Sequence, residues 1–248
     1  MTSDTAPGAP AFLVIEDWHP GTLCAVTGRA GGVSRAPYDT LNLGDHVGDD
    51  PAAVLENRAR VARALGVVPE RFIIVRQVHG ARVVAVEGPP DEGVEADAMV
   101  TRERDLALAV LVADCVPIAL ADETGLVGVV HAGWRGLAAG VVAAALEQFD
   151  VASTHAYVGP RISGARYQVG PEVAEHFRDV PGALTPDAGD RSRLDVGGVA
   201  VAHLTQLGVA TERITVAPET TDDLARFFSD RAQRPCGRFG LVVRRTVA

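Results

Sequence analysis

Apolar residues gather along this chain in short runs of strand length, and the densest of them follow one another closely. Positions 106–113 (LALAVLVA), 116–121 (VPIALA) and 126–130 (LVGVV) form such a block, the last two joined by the turn ADETG. A run that is apolar at every position, rather than alternating, implies a strand covered on both faces. Two further strands are predicted at 72–78 and 82–87, joined by a tight HGA turn as a hairpin. Shorter ones fall at 23–27, 157–158, 213–217 and 239–244. Helical spacing shows most clearly in 51–65, where Val54, Leu55, Arg58, Val61, Ala62 and Leu65 share one face. Asp50 suits its N-cap, Pro51 its first position and Gly66 its stop. Helices are also predicted over 133–149, 171–177, 195–207 (with Gly208 as stop) and 222–230. Because the strands come in groups instead of alternating strictly with helices, the pattern predicts an α+β fold of packed, mixed sheets flanked by helices.

Length adds a domain count. No linker, charge block or fixed-period repeat divides the 248 residues, so 11–248 reads as a single domain, with 1–10 (MTSDTAPGAP) as a loose tail. A net charge of −9 and a pI near 5.2 leave no basic face for nucleic acid, and 5% aromatics leave few stacking platforms. Small anions are not excluded, because a few local arginines suffice to hold them. Three widely spaced cysteines, Cys24, Cys115 and Cys236, make no disulfide framework, and no signal peptide or membrane span is visible. The reading is a cytoplasmic protein with no membrane partner; nothing in the residues sets its oligomeric state.

Candidate chemistry lies at the ends of the apolar runs. Cys115 and His131 bracket the stretch 115–131, and His79 follows the run at 72–78 in RQVHG. Two imidazoles and a thiolate suit zinc, and three protein ligands leave a fourth position for water or substrate, as in a catalytic site. Copper binds such donors more tightly, so the ligand types alone do not choose the ion. His131 also sits between a strand end and the predicted helix start, where free N–H groups favour an anion. Around this trio, Arg58 and Arg135 are candidate phosphate clamps, while Asn42 and Gln77 are candidates to orient a ligand or substrate through hydrogen bonds. Each has a plainer alternative: a solvated arginine head, turn capping or strand-edge pairing. Asp114 can transfer a proton or satisfy backbone N–H groups; Ser34, Arg35 and His46 lie in loops that can line a pocket. Nucleotide-binding glycine motifs, GxSxG, HExxH and the HxE…PCxxC deaminase signature are all absent.

In combination, GGVSRAPYDTLNLGDHVGDDPAAVLENR, RQVHG, EADAMVT, ADCVPI, HAGWRGLAAG and FFSDRAQRPCGRFG resemble, in order and over nearly the whole chain, the YfiH-type family. That family is known as laccase-domain or multicopper polyphenol oxidoreductase and is also described as a purine nucleoside phosphorylase family. The resemblance implies an αββα sandwich and a zinc or copper site at His79, Cys115 and His131. It also implies phosphorolysis of adenosine, inosine and methylthioadenosine and deamination of adenosine, with a purine nucleoside and phosphate as the partners. Phenol oxidation and the editing of peptidoglycan precursors, the latter within reach of Cys115 as a metal-free nucleophile, are the alternatives. Multicopper oxidation needs several copper centres, and seven histidines spread thinly are a poor supply. The chain departs from the family where it carries Arg161 in place of a cysteine, and Glu219 and Thr220 in place of a Cys-Thr pair.

Overall fold

The computed structural model describes residues 10–15 and 18–246, so the expected N-terminal tail falls, but for Pro10, outside them. Strands β1 (Phe12–Val14) and β2 (Thr22–Thr27) lead to helix α1 (Pro51–Ala64). Then come β3 (Phe72–Ile73), β4 (Val83–Ala85), β5 (Ala98–Thr101), β6 (Ala107–Val112), β7 (Val116–Ala121) and β8 (Val127–Ala132). Short helices α2 (Trp134–Ala138) and α3 (Val141–Leu146) precede β9 (His155–Val158), β10 (Gln168–Val169) and α4 (Pro171–Ala174). The remainder is β11 (Leu184–Pro186), β12 (Ser192–Leu194), α5 (Val196–Gln206), β13 (Ile214–Val216) and β14 (Phe239–Arg245).

Two sheets carry the fold, one of order β1-β2-β14-β6-β3 and one of order β13-β9-β7-β8-β5-β4; a small third sheet, β10-β12-β11, packs beside the helices. Every residue of β6, β7 and β8 is buried, as their unbroken apolar runs require. Their two faces serve different layers. Leu108, Val110 and Val112 of β6 meet Ala119, Ala121, Val127 and Val129 in the space between the sheets. Ala107, Ala109 and Leu111 turn outward onto Val61, Ala62 and Leu65 of α1. Ile118, Leu120 and Val130 face the other way, onto α2, α3 and α5. The result is a helix–sheet–sheet–helix sandwich, the α+β architecture that the grouping of strands predicts.

Local signals hold well for α1: the Asp50 carboxylate accepts from the Ala52 N–H at 2.9 Å, and Gly66 follows with φ +71°. Three expectations are corrected. The segments 72–78 and 82–87 are not a hairpin, because β3 joins β6 and β4 joins β5, each in parallel and in different sheets. The helix over 133–149 is broken at Gly140, whose φ of +85° ends α2 and starts α3. No helix forms over 222–230, where the backbone makes successive turns tied to Asp114 through Thr221, Ser229 and the Arg231 N–H.

The long loop between β2 and α1 is organised by a fully buried side chain of α1. Asn57 accepts from the Val33 N–H at 2.8 Å and donates to Ser34 Oγ and to the carbonyls of Thr40 and Asn42. Loop and loop approach so closely that a Cβ on Gly32 would lie 2.0 Å from the Thr40 carbonyl oxygen. Removing the amide by Asn57→Ala strands several buried polar groups at once, so we expect a loss of roughly 2–3 kcal/mol in urea unfolding; a loss below 0.5 kcal/mol, within the roughly ±0.5 kcal/mol range of ordinary surface changes, contradicts this role.

Candidate metal centre

The site forms where the inner strands of the second sheet end. In β7 and β8 the odd-numbered positions face the space between the sheets, and carrying that alternation to the strand ends places Cys115 and His131 on the same face. Cys115 is half-buried against the inter-sheet core and His131 is buried. His79 arrives from the loop between β3 and β4, exposed, with a left-handed backbone at φ +61° that turns its ring inward. One ligand atom from each of the three lies within 4.8 Å of the other two. Cys115 Sγ is 4.0 Å from His79 Nε2, and the two imidazole rings meet edge to face with centroids 4.7 Å apart. Tetrahedral zinc with two nitrogens and a sulfur holds its donors roughly 3.3–3.6 Å apart, so this cluster needs little contraction to take an ion.

A residue that the sequence reasoning left without a role assembles the cluster. Asp97, fully buried in the EADAMVT stretch, accepts from the backbone N–H groups of Val78, His79 and Gly80 at 3.2, 2.9 and 2.7 Å. The same carboxylate takes His131 Nδ1 at 2.8 Å, which leaves Nε2 facing Cys115 and His79 as the ligand atom. Its own carbonyl also receives the His131 N–H at 2.7 Å. The available signal was a charged residue inside an otherwise apolar strand entry, a position that demands strong partners. Gly133 completes the cradle: a Cβ there would come within 3.0 Å of both Cys115 Sγ and the His79 ring.

The electrostatics follow from this packing. Burial pushes the Cys115 thiol up, but the charge and hydrogen bonds of His131 and His79 outweigh burial and hold it down to about 6. Burial likewise lowers His131, yet the Cys115 thiolate and the Asp97 carboxylate lift it to about 9. Without an ion, each partner's charge favours the other's, which draws the pair toward thiolate and imidazolium. Asp97 also stays ionised, since His131 and the Gly80 and His79 N–H groups overcome its burial.

The other sequence candidates are placed as follows. Asn42 is fully buried, bonded to Gly44, Asp49 and the Arg238 N–H. Both ends of the Gln77 amide are used on Leu111, whose N–H and carbonyl extend beyond the short β3. Arg58 donates to the Leu43 carbonyl at 2.9 Å and pairs with Asp45 at 3.1 Å. Arg58, Gln77 and His46 line a separate cleft of about 740 Å³ whose walls include none of the trio. Asp114, at φ +96°, spends its carboxylate on Thr221, Ser229 and Arg231, fixing the turn that presents Cys115. Ser34 is buried against Asn57, and Arg35 is exposed. Arg135 follows His131 by four residues and is exposed, its guanidinium stacked 4.2 Å over the Trp134 ring. Arg161, where the family resemblance leads one to expect a cysteine, ties the carbonyls of Gly159 and Ala217 together.

Fold and site together define an α+β sandwich protein with an open, metal-capable His/Cys/His centre at the rim of its inner strands. Residues 23–246 match the family described as multi-copper polyphenol oxidoreductase laccase. A purine nucleoside phosphorylase of Mycobacterium tuberculosis is 43% identical over 225 residues, 88% of this chain and 89% of that one. One from Deinococcus radiodurans is 39% identical over 246 residues, 96% and 94% of the two chains. The crystal structure of Bacillus licheniformis YfiH superposes with a TM-score of 0.91 at 30% identity, covering 96% of this chain and 97% of that one. YlmD from Geobacillus stearothermophilus gives 0.88 at 31%, covering 93% and 94%. The chain thus belongs to this YfiH-type, laccase-domain family. Among the described residues, no helix is long and apolar enough to cross a membrane.

Two measurements check the site. In metal-free protein, iodoacetamide should alkylate Cys115 at a rate that falls as pH drops through about 6, because the thiolate is the reactive form. A half-point near the ordinary thiol value of about 8.5 rules the pairing out. Asp97→Asn puts an amide N–H against a donor, so zinc affinity, read by competition with a chelating dye, should fall about 10–100-fold; unchanged affinity removes Asp97 from the site.

Proposed function

We propose that this chain is a metal-dependent purine nucleoside enzyme that cleaves adenosine, inosine or methylthioadenosine with phosphate and deaminates adenosine with water. The observation that carries the reading is the convergence of His79, Cys115 and His131 on one point, with Asp97 behind them. It is supported by relatives of nearly full coverage that carry the name purine nucleoside phosphorylase. His79 Nε2, Cys115 Sγ and His131 Nε2 would hold the ion, zinc in our reading; when bound, it supplies Lewis acidity next to the substrate.

The chain's own residues do the rest. Asp97 keeps His131 in the tautomer whose Nε2 faces inward, and the Asp97-held loop keeps His79 in place. Phosphorolysis makes a bond from a phosphate oxygen to C1′ of the ribose while the bond from C1′ to the purine breaks. The electron pair leaves with the base, which takes up a proton. Arg135, four residues beyond His131, would hold that phosphate in this reading. Deamination joins a water oxygen to C6 of adenine and expels ammonia, and it needs no phosphate.

The family description favours a second reading, a copper-dependent polyphenol oxidase. The cluster's donor types also suit copper. Among the described residues, however, a single group of three or more metal-capable side chains shares a point, whereas multicopper electron transfer uses several centres.

Incubating zinc-loaded protein with adenosine should yield adenine and ribose 1-phosphate when phosphate is present, and inosine without it. His79→Ala, Cys115→Ala and His131→Ala should each abolish both products while the protein still unfolds cooperatively. Near-normal rates in all three variants overturn the site. Copper-loaded protein that consumes oxygen with a phenol, and is inert toward nucleosides, establishes the oxidase instead. Full turnover after chelation favours Cys115 acting as a thiol nucleophile in a hydrolase.

A further inference from the structure

Two arginines carried by the segments that hold Cys115 and His131 have no carboxylate partner of their own among the described residues. Arg231 comes from the FFSDR segment, and its backbone N–H is held at 2.7 Å by Asp114, the neighbour of Cys115. Its guanidinium lies 5.0 Å over the ring of Tyr167, and its one hydrogen bond among the described residues goes to the Gln168 carbonyl at 2.9 Å. Arg135, four residues beyond His131, rests on Trp134 and makes no hydrogen bond or ion pair among the described residues. Half-buried Tyr167 lies within electrostatic reach of Cys115 and of both arginines.

Elsewhere in this acidic chain many arginines are neutralised in place, as in Arg29–Asp39, Arg58–Asp45 and Arg238–Asp230. Planar, fork-shaped donors left open, and propped on aromatic faces that fix their direction, match the oxygens of a tetrahedral anion. The negative groups that act on Tyr167 are Cys115 and Asp114. Asp114 has already spent its carboxylate on Thr221, Ser229 and the Arg231 N–H. The thiolate faces His79 and His131.

We propose that Arg231 and Arg135 form a two-arginine seat for inorganic phosphate beside the metal-capable cluster, with Tyr167 as the wall that aims Arg231. The seat gives the phosphate of the proposed phosphorolysis its place and rests on that reading for its purpose, but not for its existence. It offers a clamp apart from Arg58, the sequence candidate, whose Nε and Nη2 are engaged by Leu43 and Asp45.

The test is a titration of zinc-loaded protein with inorganic phosphate, followed by phosphorus NMR or calorimetry. Arg231→Ala and Arg135→Ala should each weaken phosphate binding at least tenfold, and Arg231→Lys should restore part of it. Every Arg231 variant keeps the backbone N–H that Asp114 needs, and thermal melts verify the fold. Arg104→Ala, an exposed arginine at the opposite strand ends, should change nothing. Wild-type affinity in both Arg231→Ala and Arg135→Ala, or an equal loss in Arg104→Ala, overturns the seat. Steady-state assays separate this from the reaction itself. Phosphate that binds through these arginines to a protein that cleaves no nucleoside upholds the seat and ends the phosphorylase reading. Phosphorolysis with an unchanged KM for phosphate in both variants does the reverse.

Discussion

One carboxylate holds the candidate centre together. Asp97 sits at the entry of β5 with no exposure to solvent, where an unpartnered charge would be prohibitively costly. It is compensated by three successive backbone N–H groups and an imidazole, and those four partners are what bring the His79 loop to His131. Energetic need and geometric result coincide. The charge is tolerable only when the loop is folded back, and the loop folded back puts two of the three donors side by side.

The sandwich supplies the third donor and the rigidity. Because β7 and β8 are buried on both faces, neither can slip by one residue without exchanging its two apolar layers. That register places Cys115 and His131 on the same face at neighbouring strand ends. On the far side of Cys115, Asp114 works as Asp97 does, drawing the turns of 221–231 against the site. Two buried acids, each satisfied by a loop from elsewhere in the chain, thus shape the rim from both sides.

The departures from the family pattern fit this arrangement. Arg161 stands where the family resemblance leads one to expect a thiol, and its guanidinium joins Gly159 to Ala217 at the ends of the paired strands β9 and β13. It therefore reinforces the framework where these two strands end. Cys24 and Cys236 are buried, and burial pushes both thiols up, so neither offers a thiolate to compete with Cys115.

Much of this was legible along the chain. Unbroken apolar runs announced strands covered on both faces, Asp50, Pro51 and Gly66 bounded α1, and the positions of His79, Cys115 and His131 at run ends marked the donors. Those signals are local: periodicity, capping and turn chemistry act within a few residues. Only the folded chain decided that 72–78 and 82–87 part into different sheets, since pairing choice depends on which edge a third strand offers. The same holds for the side chains around the site. Asn42, Gln77 and Arg58 carry donors suited to a ligand, but the fold spends them on carbonyls, N–H groups and Asp45 that sequence does not bring near. Asp97 and Arg231 looked like ordinary charged residues until a loop 18 residues away and a turn 117 residues away gave them partners. A polar atom's role is fixed by what remains unbonded after folding, and that remainder exists only in three dimensions.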